Sequence, residues 1–581
     1  MKKLALIFIS RLCYINILIS QSFTHTIKVN QIGYLKDANK IAVINNVNSN
    51  LKFFIVSPEL TIVLDSGILE GPFKSNYSPN TTYIADFSHF KKTGKYRLFI
   101  PEIGYSYIFE VNNNTYKNLA NASLKAFYFF RSSTPLYYEY ASIWARPSGH
   151  PDTSVYVHSS AASNTRTEES RISSPKGWYD AGDYNKYIVN SGITMWTLFS
   201  LYELYPEYFY NLTLNIPESK NNIPDLLDEI LWNLRWMLTM QDPEDGGVYF
   251  KLTNTHFDAM IMPAEAKSKR YVIQKTTSST LNFAAVMAQA ARIFKKFNNA
   301  LPGLADSCLK ASLNAWNWAQ KNPNIIYNQN ELNKSYDPDI FTGGYEDNNL
   351  SDEFLWAAIE IMISTKNFKL IPLKNIYELN FIPYPSWNNV NALAYISLLR
   401  HEKIFPTTYK TKIENIKNLL KITADSMINM AKKHYYKTVM GTHLSDFVWG
   451  SNSIAANQGL ILVEAYRIFK NEEYLKYALN NLNYLLGMNP IGYCYVTGFG
   501  YKNPKFIHHR PSVADEIFEP IPGTLVGGPN PHNEDKIPLT SYIPDEAYID
   551  DDRAYAANEI AINWNAALAY LVNSINIIYN K

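Results

Sequence analysis

The chain has 581 residues, with 54 Lys plus Arg against 52 Asp plus Glu and a formal charge of +2. That balance excludes the broad basic field that nucleic acid or an anionic membrane surface would require, and 46% hydrophobic with 18% charged residues excludes disorder over most of the length. Aromatic residues reach 14%, with 43 Tyr, 29 Phe and 11 Trp, which calls for an aromatic core, a compositional bias toward Tyr, or a surface that stacks on flat rings such as sugars.

In chain order, Met1-Lys2-Lys3 precedes two apolar runs, Leu4 to Ser10 and Leu12 to Ser20, split by Arg11. This reads as an irregular bacterial export signal over 1–22 and predicts a secreted, periplasmic or cell-surface protein. No other segment carries about 18 uninterrupted apolar residues, so no membrane span is predicted. From Thr26 to Val111 short β-rich runs such as Ile41 to Ile44, Tyr96 to Ile100 and Tyr105 to Val111 alternate with Asn, Gly, Pro and Ser, predicting a small β-sandwich over 26–111. Past Asn112 to Asn114 the period changes from 2 to 3.6. Ile223, Leu226, Leu227, Ile230, Leu231, Leu234, Met237 and Leu238 share one helical face, with Asn222 placed as N-cap and Pro224 in the first turn. Ile560 to Ile575 repeats the pattern, and further helices are predicted near 117–131, 187–205, 280–297, 303–320, 352–365, 411–432, 453–469 and 472–486. About ten helices with hardly a strand among them suit an α/α barrel or bundle whose longer loops carry function. Cys13, Cys308 and Cys494 exclude a disulfide scaffold and a cysteine-rich metal cluster.

Three segments carry candidate chemistry. In Gly177-Trp178-Tyr179-Asp180-Ala181-Gly182-Asp183 two carboxylates stand three residues apart. They either form an Asx-type turn serving only the backbone or converge to hold and deprotonate a water. Near the C-terminus, Glu559 is read as opening the last helix, whose dipole favours the ionised form, while Asp550 to Asp552 upstream supply charge that would keep a proton on it. The alternative there is a solvated acidic loop and an ordinary first-turn Glu. Ile507-His508-His509-Arg510 offers donors for sugar hydroxyls; adjacent His residues on an extended loop diverge, which disfavours a metal. No phosphate loop or serine elbow competes.

Together these segments resemble glycoside hydrolase family 9, the inverting cellulases, in the right order over 117–581. Trp178 to Asp183 resembles the catalytic-base loop. Asp245 to Tyr249, Phe341 to Tyr345, Asp352-Glu353-Phe354 and Trp449 to Asn452 match further landmarks, and Val496 to Arg510 resembles the histidine signature. Tyr548, Asp550, Tyr555, Glu559, Ala561, Asn565 and Ala566 fit the terminal Asp/Glu signature, and Asn30 to Tyr34 with Ala85-Asp86-Phe87 resembles the immunoglobulin-like module that precedes many members. The resemblance implies a mainly α protein, a six-hairpin (α/α)6 barrel preceded by an immunoglobulin-like β-sandwich. It implies an endo-β-1,4-glucanase in which Asp183 is the base, Glu559 the acid and Asp180 a second holder of the water. His508, Arg510 and Asp550 fall on sugar-contacting or acidic signature positions, and Tyr345, Trp449 and Trp564 on the glucan-binding wall. Trp178, Tyr179 and Tyr184 are expected to line the cleft as well.

An exo-acting enzyme, a mixed-linkage glucan or xyloglucan hydrolase, and a non-catalytic glycan-binding protein are the alternatives. Where members hold zinc, Arg131-Ser132 and Gly149 to Thr153 lack its cysteines, so no zinc is expected. Thr276 to Asn282 lacks the acidic ligands of the calcium that some members hold there. Cys494 and Ile507 depart from the histidine signature without removing a catalytic group. The expected partner is a β-1,4-glucan, bound by a monomer without a dockerin or carbohydrate-binding module.

Overall fold

The computed structural model describes residues 22–47, 51–370, 376 and 379–580. The expected export signal, with Cys13, therefore falls almost wholly outside the described residues.

Residues 27–111 form two facing sheets. One runs in the order Ile27–Lys28, Ile41–Asn45, Thr81–Asp86, Glu70–Lys74; the other runs Gly33–Tyr34, Phe109–Val111, Gly94–Ile100, Lys52–Val56, Val63–Ile68, with Gly104–Tyr105 on the edge of Gly94–Ile100. Ile41 to Ile44 lacks polar alternation because both its faces are covered. Ala42 and Ile44 enter the sandwich core, whereas Ile41 and Val43 meet Tyr435, Tyr436 and Met488 of the helical domain. Polar ties fix the junction: Asn30 Nδ2 donates to Asn483 Oδ1 at 2.8 Å, Gln31 Nε2 to the Gly492 carbonyl at 2.8 Å, and Tyr77 Oη to the Gly441 carbonyl at 3.0 Å.

Eleven longer helices follow among the described residues: α1 (Lys117–Phe129), α2 (Ile188–Leu204), α3 (Asp225–Thr239), α4 (Thr277–Phe294), α5 (Leu304–Lys321), α6 (Ser351–Thr365), α7 (Asn391–Arg400), α8 (Lys410–Lys433), α9 (Ser451–Phe469), α10 (Glu472–Leu485) and α11 (Ile562–Tyr579). Six of them form the inner ring. Helix α2 packs on α4, α4 on α6, α6 on α7, α9 on α11 and α11 back on α2, while α1, α3, α5, α8 and α10 lie outside. This is an (α/α)6 barrel. The sequence separates the two rings: Ile188 through Tyr202 of α2 is buried without a break, as befits a helix surrounded by others. Helix α8 buries only Ile413, Ile416, Leu420, Ala424, Met427 and their neighbours and turns its Lys and Glu outward.

Two expectations fail locally. Asn222 does not cap α3, which starts at Asp225 with Pro224 at the cap position and no side-chain cap. A residue before proline is pushed out of the helical region, so the helix begins only after it. The helical domain also contains a five-stranded sheet in the order Arg171–Ile172, Val155–Val157, Tyr271–Val272, Lys251–Thr253, Lys186–Tyr187. Strands of two or three residues show no readable alternation. Cys308 and Cys494 are free and buried, and no helix among the described residues is long and apolar enough to cross a membrane.

Candidate active site

The chain entering each inner helix contributes to a single cleft of about 540 Å³. Its lining includes Asp180, Asp183 and Tyr187 before α2, Phe257 before α4, Phe341 to Tyr345 before α6, Trp387 before α7, Trp449 before α9, and Glu559, Asn563 and Trp564 around the start of α11. Among them Phe257, Phe341 and Trp449 are 47%, 51% and 43% exposed, a wall of aromatic faces open to a ligand.

The Asp180–Asp183 loop is pinned from two sides. Tyr179 N–H donates to the Phe130 carbonyl at 2.8 Å, and Ile562 N–H at the head of α11 donates to the Asp180 carbonyl at 2.9 Å. The carboxylate of Asp180 accepts from Asn190 Nδ2 at 2.7 Å and from Tyr345 Oη at 2.6 Å. Tyr345 reaches it from a left-handed backbone at φ 45°, a strain of about 1 kcal/mol or more that the surrounding structure must hold. Asp183 Oδ2 accepts from Asn185 Nδ2 at 2.6 Å and Tyr187 Oη at 3.1 Å. Both donors use the same oxygen, which leaves Oδ1 as the atom offered to a water in the cleft.

Glu559 does not open α11. It follows the short helix Tyr555–Asn558 in extended conformation, pairs as a β-bridge with His508, and precedes α11 by three residues. The dipole expected to ionise it is thus absent, and Asp550 to Asp552 are not what keeps its proton on. Burial first, and then the charge of Asp183, push the Glu559 carboxyl up to about 8. Its Oε1 accepts from Gly182 N–H at 3.2 Å. Position 182 must be glycine, because a Cβ there would lie 2.3 Å from the His508 carbonyl oxygen. Burial and the charge of Asp183 likewise raise Asp180 to about 8.

The structure thus brings Asp180, Asp183, Glu559, Tyr345, Trp449 and Trp564 together along the cleft, with His508 bridged to Glu559 and Arg510 bonded to Gly182 directly beside them, while Asp550 is held by loop donors. His508 Nδ1 meets the Asp552 carbonyl at 2.6 Å. Arg510 donates to the carbonyls of Asp258 and Gly182, both at 2.7 Å. Asp550 takes Tyr493 Oη, Asn558 Nδ2 and the N–H groups of Lys505 and Phe506, so its carboxylate is committed to shaping the loop. Trp178, Tyr179 and Tyr184, expected in the cleft, are core residues: Trp178 packs on Phe127 and donates to Glu229, Tyr179 bonds His150, and Tyr184 donates to the Ile261 carbonyl. Tyr187, Trp387 and Phe257 escaped sequence reasoning. Only Trp387 left a trace, as a large aromatic inside the turn-rich run Pro383 to Asn389.

Neither metal position suggested by the resemblance fits a metal. At the zinc position Arg131 pairs with Glu218 and Glu229, and Asp152 is taken by Lys186 and Arg270. At the calcium position, 276–282, Thr276 Oγ1 accepts from Ser279 N–H at 3.1 Å and Asn282 Nδ2 donates to the Ser278 carbonyl at 3.0 Å, so these side chains serve the head of α4. A different acidic set, Asp347, Asp352 and Glu353 at the start of α6, has buried oxygens without hydrogen bonds: both of Glu353, Oδ1 of Asp352 and Oδ2 of Asp347. Hard oxygen donors of this kind suit Ca²⁺, although among the described residues no three such groups already converge on a metal-sized point.

An aromatic-walled cleft lined by Asp180, Asp183 and Glu559 on an (α/α)6 barrel is the arrangement of a glycoside hydrolase. The model of glycosyl hydrolase family 9 matches residues 116–572, and that of the cellulase N-terminal Ig-like domain matches 22–105. The chain is 42% identical over 562 residues to a xyloglucan-specific endo-β-1,4-glucanase, BoGH9A, of Bacteroides ovatus, covering 95% of this chain and 94% of the relative. It is 32% identical over 558 residues to endoglucanase D of Acetivibrio thermocellus, covering 94% of this chain and 83% of that one. A solved structure described as Bacteroides ovatus GH9 superposes with a TM-score of 0.91 at 41% identity, covering 96% of this chain and all of that one. The chain belongs to glycosyl hydrolase family 9.

Proposed function

We propose that the chain hydrolyses internal β-1,4-glucosidic bonds with inversion, Glu559 giving its proton to the departing glycosidic oxygen while Asp183 takes one from the attacking water. The observation that carries this reading is the contrast within one cleft. Desolvation and the charge of Asp183 push the partly exposed Glu559 carboxyl up to about 8, so it keeps its proton near neutral pH, as a general acid must. Asp183 is gripped by two donors on one oxygen and offers the other. An inverting pair stands about 6.5–9.5 Å apart so that water and sugar fit between the carboxyls. Asp180, fixed by Asn190 and Tyr345, stands beside the base and helps hold the water. Tyr345, Trp387, Trp449 and Trp564 supply faces for glucose rings.

Among β-1,4-glucans, xyloglucan is the second reading, favoured by the name of the 42% identical Bacteroides relative. Digestion of xyloglucan, carboxymethylcellulose and mixed-linkage glucan, followed by proton NMR and viscosity, tests both points. Early α-anomer with a fast viscosity loss is expected, and early β-anomer would sink the mechanism. Asp183→Asn and Glu559→Gln should each lower kcat by about 10²–10⁴-fold.

A further inference from the structure

Lys251 is fully buried on the strand Lys251–Thr253 and is not among the residues lining the cleft. Its Nζ donates to the Gly343 carbonyl at 2.7 Å, Gln329 Oε1 at 2.9 Å and Thr342 Oγ1 at 3.1 Å. The Thr342 carbonyl lies 3.4 Å away as a fourth acceptor, so all three protons of an ammonium find partners, whereas a neutral amine has only two to give. Burial presses its pKa well down, and the nearby charges of Asp183 and Glu346 pull it back up.

The grip continues toward the base. Gly343, whose carbonyl Lys251 holds, donates its own N–H to Tyr187 Oη at 3.1 Å. With its oxygen filled by that donor, the Tyr187 hydroxyl turns its proton to Asp183 Oδ2 at 3.1 Å. A Cβ on residue 343 would sit 3.0 Å from that hydroxyl, a tight contact that the tyrosine would have to ease. On the acid side the same design recurs. Arg510 donates from its guanidinium and its backbone N–H to the Gly182 carbonyl, and Gly182 N–H donates to Glu559.

We propose that Lys251 is a positioning residue for hydrolysis, acting through Gly343 and Tyr187 to fix the Asp183 carboxylate, as Arg510 acts through Gly182 to fix Glu559. The inference rests on Asp183 being the base. Each catalytic carboxyl is then set by a buried cation that never touches it, relayed by a glycine. The arrangement keeps both cations out of the cleft, where a direct ion pair would compete with water and sugar.

Lys251→Met, Tyr187→Phe and the double variant would be assayed on a soluble β-glucan across pH, with circular dichroism to confirm folding. Each single change should lower kcat by roughly ten- to a hundredfold and move the acid limb of the kcat/KM profile to higher pH, with KM within about threefold of the parent. The double variant should be no worse than the poorer single, because both changes release the same oxygen. If Lys251→Met does not fold, Gln329→Met removes one acceptor of the ammonium outside the cleft lining and should move the acid limb in the same direction by less. A parental acid limb in the lysine variant (or, failing that, the glutamine variant) beside a shifted one in Tyr187→Phe, or multiplicative losses in the double variant, would overturn the relay. Full activity in Asp183→Asn would instead overturn the assignment of the base.

Discussion

The two ends of the barrel treat buried carboxyls in opposite ways. Inner helices α2 and α9 carry Glu203 and Glu464 away from the cleft, where Arg292 meets Glu203 at 2.7 Å and Arg400 meets Glu464 at 2.9 Å. Burial presses both carboxyls upward, but the arginine charges and hydrogen bonds outweigh it and hold each at about 2. At the cleft the hydrogen-bond donors of buried Asp180 and partly buried Glu559 are neutral, Asp183 adds negative charge beside both, and both rise to about 8. Burial pushes in the same direction at both ends, and the neighbouring charge decides the outcome. What separates a structural carboxyl from a working one here is whether a cation has been placed against it.

The largest consequence concerns the ion-paired end. Arg400→Met leaves Glu464 buried without its principal cation, which should cost about 3–5 kcal/mol. A fall in urea midpoint of that size is expected, with kcat of the folded fraction within about twofold of the parent because nothing at the cleft has moved. A variant as stable as the parent would break the comparison at its structural end.

Glu353 at the head of α6 sharpens it from the other side. It is buried and among the described residues no Lys or Arg pairs with it; burial, then Asp352 and Asp347, push it well above the ordinary carboxylate range. If the rule holds, this site wants a cation rather than a proton. Millimolar Ca²⁺ should raise Tm by about 2–4 °C, EGTA should reverse the gain, and Glu353→Gln should abolish it. An unchanged Tm in the parent would mean that Glu353 keeps its proton instead.

The sequence carried the barrel because its helices are long and strongly periodic, and it carried Asp180, Asp183 and Glu559 because a family signature surrounds each of them. It did not carry the partners. Lys251, Tyr187 and Trp387 lie in short strands or turns whose local pattern is uninformative, and they meet the catalytic loop only through chain closure over long separations. Glu559 was misread as helical because the apolar period of α11 extends back through Ile560 and Ala561, two residues that the bridge Val526↔Ile560 and an extended cap use differently. Trp178, Tyr179 and Tyr184 were expected beside sugar because their neighbours are catalytic. In a turn the side chains point to both sides, and these three point into the core. The aromatic excess of the composition accordingly divides between a small open wall and a large buried population.

The smallest effect is also the most specific to the cleft. In the unfolded chain Glu559 titrates near its ordinary 4.5, and in the folded protein near 8. A carboxyl raised by folding contributes stability that is fully present below the unfolded value and is lost as pH rises through the folded one. Between those limits the unfolded chain gives up the proton more readily than the native state does, so each step upward in pH favours unfolding. Glu559→Gln cannot ionise and escapes this loss. Its Tm should match the parent's near pH 4.5, exceed it progressively above, and level off about 1–3 °C higher beyond pH 8. Asp180 titrates in both proteins and largely cancels in the difference. Arg400→Met leaves Glu559 in place and should show no such gain. A Glu559→Gln protein that is less stable than the parent at alkaline pH would mean that the carboxyl is satisfied in its ionised form, and the contrast between the two ends of the barrel would fail.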